Sequence, residues 1–164
     1  MALKDEIGKR SAFSCVEEEV YLNLARTRAA LEGEVAAALR AEGLTESSYN
    51  ALRILRGWKG RAGAGEEDAR EGGARTCGEV HREMVVRAAD VTRLIDRLEK
   101  RGLVERLPEE SDGRVVLVRI TREGERVVER LDGVLPGVHR GQMKRMTASE
   151  KKELNRLLVR AREG

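Results

Sequence analysis

The chain has 164 residues, 40% of them hydrophobic and 37% charged, with a formal net charge of +3. That length can bury a sizeable core and favours one domain across residues 1–164. No apolar run reaches the roughly 18 residues of a membrane span, and the N-terminus lacks a signal-peptide core. We therefore expect a cytoplasmic protein without a membrane partner. One Trp, two Tyr and one Phe leave little to stack on unpaired bases, so among nucleic acids duplex DNA is the better candidate.

The first half of the chain carries two helical patterns and then loses periodicity. Apolar residues recur at helical spacing between Glu17 and Ala41, which predicts one long amphipathic helix. Thr45 is a suitable N-cap for a second helix, which we expect to end near Gly57. From Gly57 to Arg75 the chain is rich in glycine and charge, and this composition predicts a flexible loop.

Two shorter helical patterns follow. Thr76 and Glu79 have the spacing of a capping box, in which each side chain bonds to the backbone amide of the other, and they predict the start of a third helix. A fourth helix precedes Gly102, a residue suited to ending it. Its apolar face is formed by Val91, Leu94, Ile95 and Leu98, and its polar face by Thr92, Arg93, Asp96, Arg97 and Lys100.

A β-hairpin comes next. Leu103–Leu107 and Val115–Ile120 have strand character, and they flank Asp112-Gly113, a strong two-residue turn signal. Arg114 directly follows this turn and is not needed to form it. Its position therefore indicates a separate role.

The C-terminal part returns to helical periodicity. One helix is expected from Arg122, with an interruption at Pro136-Gly137. A last helix is expected to begin at Thr147, which forms a second capping box with Glu150.

The order of these elements predicts the fold. Two short helices joined by a tight turn and followed by a hairpin form a winged helix-turn-helix, whose second helix enters the major groove of DNA. We predict a mainly α protein with a small β-hairpin wing: a winged helix-turn-helix core at 44–121, with a flexible loop at 57–75 and flanking helices at 11–42 and 122–163. The apolar stripes of the flanking helices need a partner surface, which predicts a homodimer.

The polar face of the fourth helix and the wing supply the candidate DNA contacts. Arg93 and Arg97 can bind guanine edges or phosphates, and Thr92 is short enough to allow close approach. Arg114 would enter the minor groove, with Asp112 holding its guanidinium by a charge-assisted hydrogen bond. The predicted DNA-binding residues are Thr92, Arg93, Arg97, Lys100, Asp112 and Arg114.

These segments resemble the MarR family of winged helix-turn-helix transcription regulators. The resemblance is carried by LTESSYNALRILRG, DVTRLIDRLEKRGLVER and SDGRVVLVRITREGERV, and covers roughly Leu44 to Val128 apart from the loop. It implies a homodimer on a palindromic operator, with the flanking helices as dimerisation helices, and release from DNA by a ligand or an oxidant in many members. We therefore expect a sequence-specific regulator of double-stranded DNA, a repressor released by a small-molecule effector.

Two alternatives stay open. Cys15 lies just before the long first helix, a position similar to that of the sensing cysteine in the peroxide-responsive branch of the family, so an oxidant-sensing regulator is one of them. Helix N-termini favour reactive thiols, but Glu17, Glu18 and Glu19 add opposing negative charge. The other is a dimeric interaction protein that has lost operator binding. We predict no enzyme activity, no cofactor and no metal site, because the chain shows neither a nucleophile-base pair nor a metal-ligand motif.

Overall fold

The computed structural model describes residues 2–63, 70–85, 90–109 and 114–163. In these ranges the chain is mainly helical and carries one small antiparallel sheet. The helices are α1 (Leu3–Glu6), α2 (Val16–Ala41), α3 (Glu46–Gly63), α4 (Cys77–Glu83), α5 (Val91–Lys100), α6 (Arg122–Gln142) and α7 (Ala148–Arg160). The strands are β1 (Arg75–Thr76), β2 (Val104–Pro108) and β3 (Val116–Ile120). No described helix has both the length and the apolar composition needed to cross a bilayer.

The chain divides into two compact units. The central unit is Ala38–Arg140, and the terminal unit combines Met1–Ala37 with Gly141–Gly164. The core of the central unit is aliphatic, and its fully buried side chains include Leu52, Leu55, Val80, Leu94, Ile95, Leu98, Val104, Val118, Ile120, Val128 and Leu131. Because such side chains contribute about 1.5–3 kcal/mol each on full burial, this core stabilises the elements around the predicted DNA-binding face.

The terminal unit keeps many apolar side chains at its surface. The short helix α1 was not predicted. Within the terminal unit, the Gln142 side-chain amide donates to the Leu31 carbonyl at 2.8 Å. Large apolar side chains remain exposed on α2 and α7, namely Val16, Val20, Tyr21, Leu24, Leu154, Leu157 and Val159. These two helices therefore leave apolar surface uncovered in the single chain.

The prediction of a flexible loop at 57–75 is wrong for the described part of that range. Helix α3 does not end near Gly57 but continues to Gly63, a 3-10 turn forms at Glu71–Gly73, and β1 follows. The cause is Trp58, whose indole N–H donates to Glu83 Oε1 at 2.7 Å and whose ring lies 3.5 Å from the Arg75 guanidinium. Such contacts between distant residues override the poor helix propensity of glycine. Residues 64–69 lie outside the described range.

Gly73 shows how closely this segment packs on α3. Its φ is +71°, and a Cβ built there would lie 2.1 Å from the backbone nitrogen of Lys59. The position therefore needs glycine both for its left-handed backbone and for the close approach to α3.

The sheet has the order β1-β3-β2, with both pairs antiparallel. The predicted hairpin is confirmed, with Val104 opposite Ile120 and Glu105 opposite Arg119. Strand β1 was not predicted, because two residues are too short to show an alternating pattern. The predicted turn at Asp112-Gly113 lies outside the described residues.

The helix starts that were predicted from capping residues are confirmed. Thr76 and Glu79 form the predicted capping box at α4, and Thr147 forms one with Glu150 at α7. Thr45 Oγ1 accepts from the Ser48 amide at 3.2 Å and caps α3. Each of these contacts spans three residues, so its pattern is visible in the sequence.

The predicted interruption at Pro136-Gly137 is not present. Helix α6 is continuous from Arg122 to Gln142 with Pro136 inside it. Leu131 and Leu135 are buried one turn apart before the proline. Their packing outweighs the hydrogen bond that proline cannot donate, because tertiary burial supplies most of the stability of helices in proteins.

The packing at Gly73 gives a testable consequence. Gly73→Ala should lower the free energy of unfolding by about 2–4 kcal/mol, from the left-handed backbone and the overpacking against α3. Gly57→Ala is the matched control, since a Cβ there meets nothing within 4 Å and should stabilise the helix by about 0.5–1 kcal/mol. Urea unfolding followed by circular dichroism measures both. Wild-type stability in Gly73→Ala would contradict the packing described above.

Candidate nucleic-acid interface

Helix α5 is fixed in place by its buried face and its two ends. Asp90 is its N-cap and accepts a hydrogen bond from the Arg93 amide at 2.9 Å. At the other end, Arg101 donates to the Glu42 carbonyl at 2.8 Å and to the Gly43 carbonyl at 2.5 Å. The buried face consists of the predicted residues Val91, Leu94, Ile95 and Leu98. The helix is therefore a rigid support for whatever its outer face binds.

The outer face of α5 presents four of the six predicted DNA-binding residues. Thr92, Arg93, Arg97 and Lys100 are all exposed, and 84% of the Arg93 side-chain surface is accessible. Because residues three or four positions apart lie on the same side of a helix, Arg93, Arg97 and Lys100 form one continuous surface, and Thr92 is the neighbour of Arg93 at its edge. Arg93 Nε also lies 3.1 Å from Asp90 Oδ2, an exposed ion pair of the weak kind.

The acidic residues of α5 are paired with a strand. Arg106 of β2 places Nη2 2.6 Å from Asp96 Oδ1, and its Nη1 bonds to Glu99 Oε2. Partial burial works against the charged guanidinium, but the two carboxylates outweigh it and raise the pKa of Arg106. Arg106 was not predicted as part of the site, although two acids at i and i+3 on the preceding helix, followed by an arginine in a strand, were a usable signal. This contact joins the wing to α5.

The wing carries the remaining two predicted contacts. Arg114 is exposed and lies two residues before the start of β3. The Glu109 amide donates to the Val115 carbonyl at 3.0 Å and pairs the two arms just below the tip. Asp112 lies outside the described residues, so its predicted contact with Arg114 stays a prediction.

The two cysteines have different surroundings. Cys15 is exposed. The backbone amide of Glu17 and the thiol of Cys15 both donate to the Glu17 carboxylate, and these hydrogen bonds lower the pKa of that carboxyl. Cys77 is half-buried, and its burial raises the pKa of its thiol, with the charge of Asp96 adding to the effect and that of Arg106 opposing it. Among the described residues, no group of three or more His, Cys, Asp or Glu side chains could hold a metal ion.

Comparison of the sequence with known proteins identifies relatives of this region. The MarR family model matches residues 69–116. The chain is 31% identical over 88 residues to the HTH-type transcriptional repressor IacR of Pseudomonas putida, covering 54% of this chain and 53% of that protein. It is 39% identical over 69 residues to the multiple antibiotic resistance protein MarR of Escherichia coli, covering 42% and 48%. The chain thus spans about half the length of the curated relatives that it matches.

Solved structures share the fold over most of the chain. A mutant of E. coli MarR complexed with operator DNA is 24% identical, with a TM-score of 0.70 and coverage of 84% of this chain and 89% of that one. A structure of Bordetella bronchiseptica BpsR, described as showing regulation of its DNA binding by 6-hydroxynicotinic acid, is 20% identical with a TM-score of 0.70, covering 87% and 98%. At these identities the likeness is one of fold.

The cap of α5 is testable in the free protein. Asp90→Ala should lower the free energy of unfolding by about 1 kcal/mol, because the Arg93 amide loses its acceptor. Asp90→Asn keeps an acceptor oxygen and should remain close to wild type. Urea unfolding of both variants measures the difference. Equal loss in the two variants would mean that the charge of Asp90, rather than its capping bond, stabilises the helix.

Proposed function

We propose that the chain is a member of the MarR family of winged helix-turn-helix proteins and a sequence-specific transcription regulator that binds double-stranded DNA. The observation that carries this proposal is the exposed polar face of α5, which displays Thr92, Arg93, Arg97 and Lys100 on a helix fixed by its buried face. A rigid helix with guanidinium groups on its outer side has the shape and chemistry to read a major groove.

Each predicted residue then has a distinct part in binding. Arg93 and Arg97 bind guanine edges or phosphates, Lys100 neutralises phosphate, and the short side chain of Thr92 allows the helix to approach the bases. Arg114 reaches into the adjacent minor groove from the wing, where the negative potential favours a guanidinium. Asp112 holds that guanidinium by a charge-assisted hydrogen bond.

Charge pairing makes the outer face of α5 more basic than a count of its charged residues suggests. Asp96 and Glu99 would repel phosphate, but both are bound to Arg106, which neutralises much of their charge. Arg93 gives up little if it leaves Asp90 for DNA, because its ion pair is highly exposed and such pairs contribute about 0–1 kcal/mol. The cations of the face are therefore available to the ligand.

A homodimer accounts for the exposed apolar side chains of α2 and α7. Burial of such a surface against a second copy removes it from water, and a two-fold pair presents two copies of α5 to two half-sites. The half-sites would lie roughly 34–36 Å apart, one turn of DNA, on a palindromic operator.

Release by a small-molecule effector is the form of regulation that we propose, for a repressor acting on DNA in the cytoplasm. Regulation of BpsR by 6-hydroxynicotinic acid, on the same fold, supports this form. Oxidant sensing through Cys15 is the second candidate, favoured by the exposure of that thiol. Loss of DNA binding in organic hydroperoxide that Cys15→Ser prevents would establish the second candidate.

The DNA-reading role of α5 is testable with a duplex selected from a randomised pool. Arg93→Ala should cost about 1–3 kcal/mol of binding free energy and relax the preference at particular base pairs, because an edge contact is lost. Fluorescence anisotropy titrations at fixed salt, on the selected duplex and its single base-pair variants, measure both effects.

Arg156→Ala is the matched control for that titration. It removes the same charge from an exposed arginine of α7 and should leave base preference unchanged. A pool that yields no enriched sequence with the wild type would favour an interaction protein that has lost operator binding.

The dimer is tested by disrupting the apolar surface of α7. The wild type should sediment as a dimer at micromolar concentration, and Leu157→Glu should shift it toward monomer, because a charge would be buried against apolar groups. Asn155→Glu is the control, since it adds the same charge about 200° around the helix from Leu157. A wild-type monomer, or an unchanged dimer in Leu157→Glu, would contradict this interface.

A further inference from the structure

Arg70 lies between two acidic residues that belong to different elements. Its Nη1 is 2.9 Å from Glu79 Oε1 and 3.0 Å from Glu79 Oε2, and its Nε is 3.2 Å from Glu109 Oε1. The side chains of Arg70, Glu79 and Glu109 are 33%, 23% and 20% exposed. Because they are largely shielded from solvent, these contacts are screened less than ion pairs at the open surface.

The Glu79 end of this bridge is held by α4, the first helix of the helix-turn-helix. Glu79 Oε2 accepts from the Thr76 amide at 2.7 Å and from the Thr76 hydroxyl at 2.9 Å. Burial works to raise the pKa of this carboxyl, but the Thr76 amide and the Arg70 guanidinium outweigh it and the net pKa is lowered. Glu79 is therefore a fixed, charged anchor.

The Glu109 end is held by the wing. Glu109 follows directly on β2, and its amide donates to the Val115 carbonyl at 3.0 Å, so it sits where the two arms are last described as paired. Arg114, the proposed minor-groove contact, is the neighbour of Val115. A shift of Glu109 would therefore move the base from which Arg114 extends.

The backbone of Arg70 is attached to a third element. Its carbonyl accepts from the Gly73 amide at 2.8 Å, which closes the 3-10 turn. Gly73 in turn packs against the backbone of Trp58 and Lys59 in α3. Arg70 thus connects α3, α4 and the wing through contacts that are separate from the bridge between Arg106 and α5.

We propose that Arg70 is a positioning residue that fixes the wing against the first helix of the helix-turn-helix, so that the contribution of Arg114 to DNA binding depends on the Arg70–Glu109 contact. This inference rests on the proposed DNA-binding function. The charges make the contact directional: if Arg70 is lost, Glu109 faces Glu79 without the intervening cation, and like charges move the wing away from α4.

Glu109→Gln is the decisive variant, because it weakens the wing contact and leaves the pairing of Arg70 with Glu79 in place. It also removes a negative charge close to the proposed DNA surface, so general electrostatics would make DNA binding tighter. Loss of wing positioning would make it weaker. The sign of the change therefore separates the two effects.

The experiment is a double-mutant cycle with Arg114→Ala, measured by anisotropy on a duplex selected with the wild type. We expect Glu109→Gln to weaken binding about fivefold when Arg114 is present and to have little or no weakening effect in the Arg114→Ala background. Arg70→Lys keeps a cation between the acids and should fall between wild type and Glu109→Gln. Glu123→Gln, which removes a similar charge from an exposed pair with Arg126, should not weaken binding.

Urea unfolding of each variant shows whether the protein remains folded under the binding conditions. Unchanged or tighter binding by Glu109→Gln would overturn the inference, as would equal weakening in both backgrounds. Those outcomes leave the proposed function intact. If the wild type selects no sequence from the pool, the proposed function fails, and the inference fails with it.

Discussion

The burial of one face of α5 is the constraint from which the candidate interface follows. Val91, Leu94, Ile95 and Leu98 are at most 8% exposed, and the helix packs against α3, α4 and β2. At about 1.5–3 kcal/mol for each side chain, this burial far exceeds the few tenths of a kcal/mol by which helix propensities differ. A ten-residue helix that buries one side in this way must present its other side to solvent, and that side carries the guanidinium groups.

Several arginines among the described residues bind acidic groups of the scaffold. Arg106 joins β2 to α5, Arg119 pairs with Glu105 across the sheet, and Arg130 binds Glu42 with contacts of 3.0 and 2.8 Å. These arginines are neutralised locally, so the net charge of +3 says little about the strength of the field at the proposed DNA-binding face. What matters there is which cations have acidic partners and which face solvent.

Features set by residues close in sequence could be predicted, and features set by distant partners could not. Both capping boxes depend on a spacing of three residues, and the hairpin and the amphipathic α5 depend on short periods. The continuation of α3 depends on the contacts of Trp58, and strand β1 depends on its pairing with β3. The unbroken α6 depends on the packing of Leu131 and Leu135. The exposed polar face of α5 was therefore predictable, while Arg106, which joins β2 to this helix, depends on residues brought together by the fold.

Trp58 has a consequence for how the protein can be observed. It is the one tryptophan of the chain, so its emission is not mixed with that of another indole. The ring contacts the guanidinium of Arg75, and its N–H is bonded to Glu83 at the end of α4. Emission depends on the charges and hydrogen bonds around the indole, so it reports on the junction of α3, β1 and α4. Stopped-flow fluorescence of the unlabelled protein can therefore follow the time course of rearrangements at that junction.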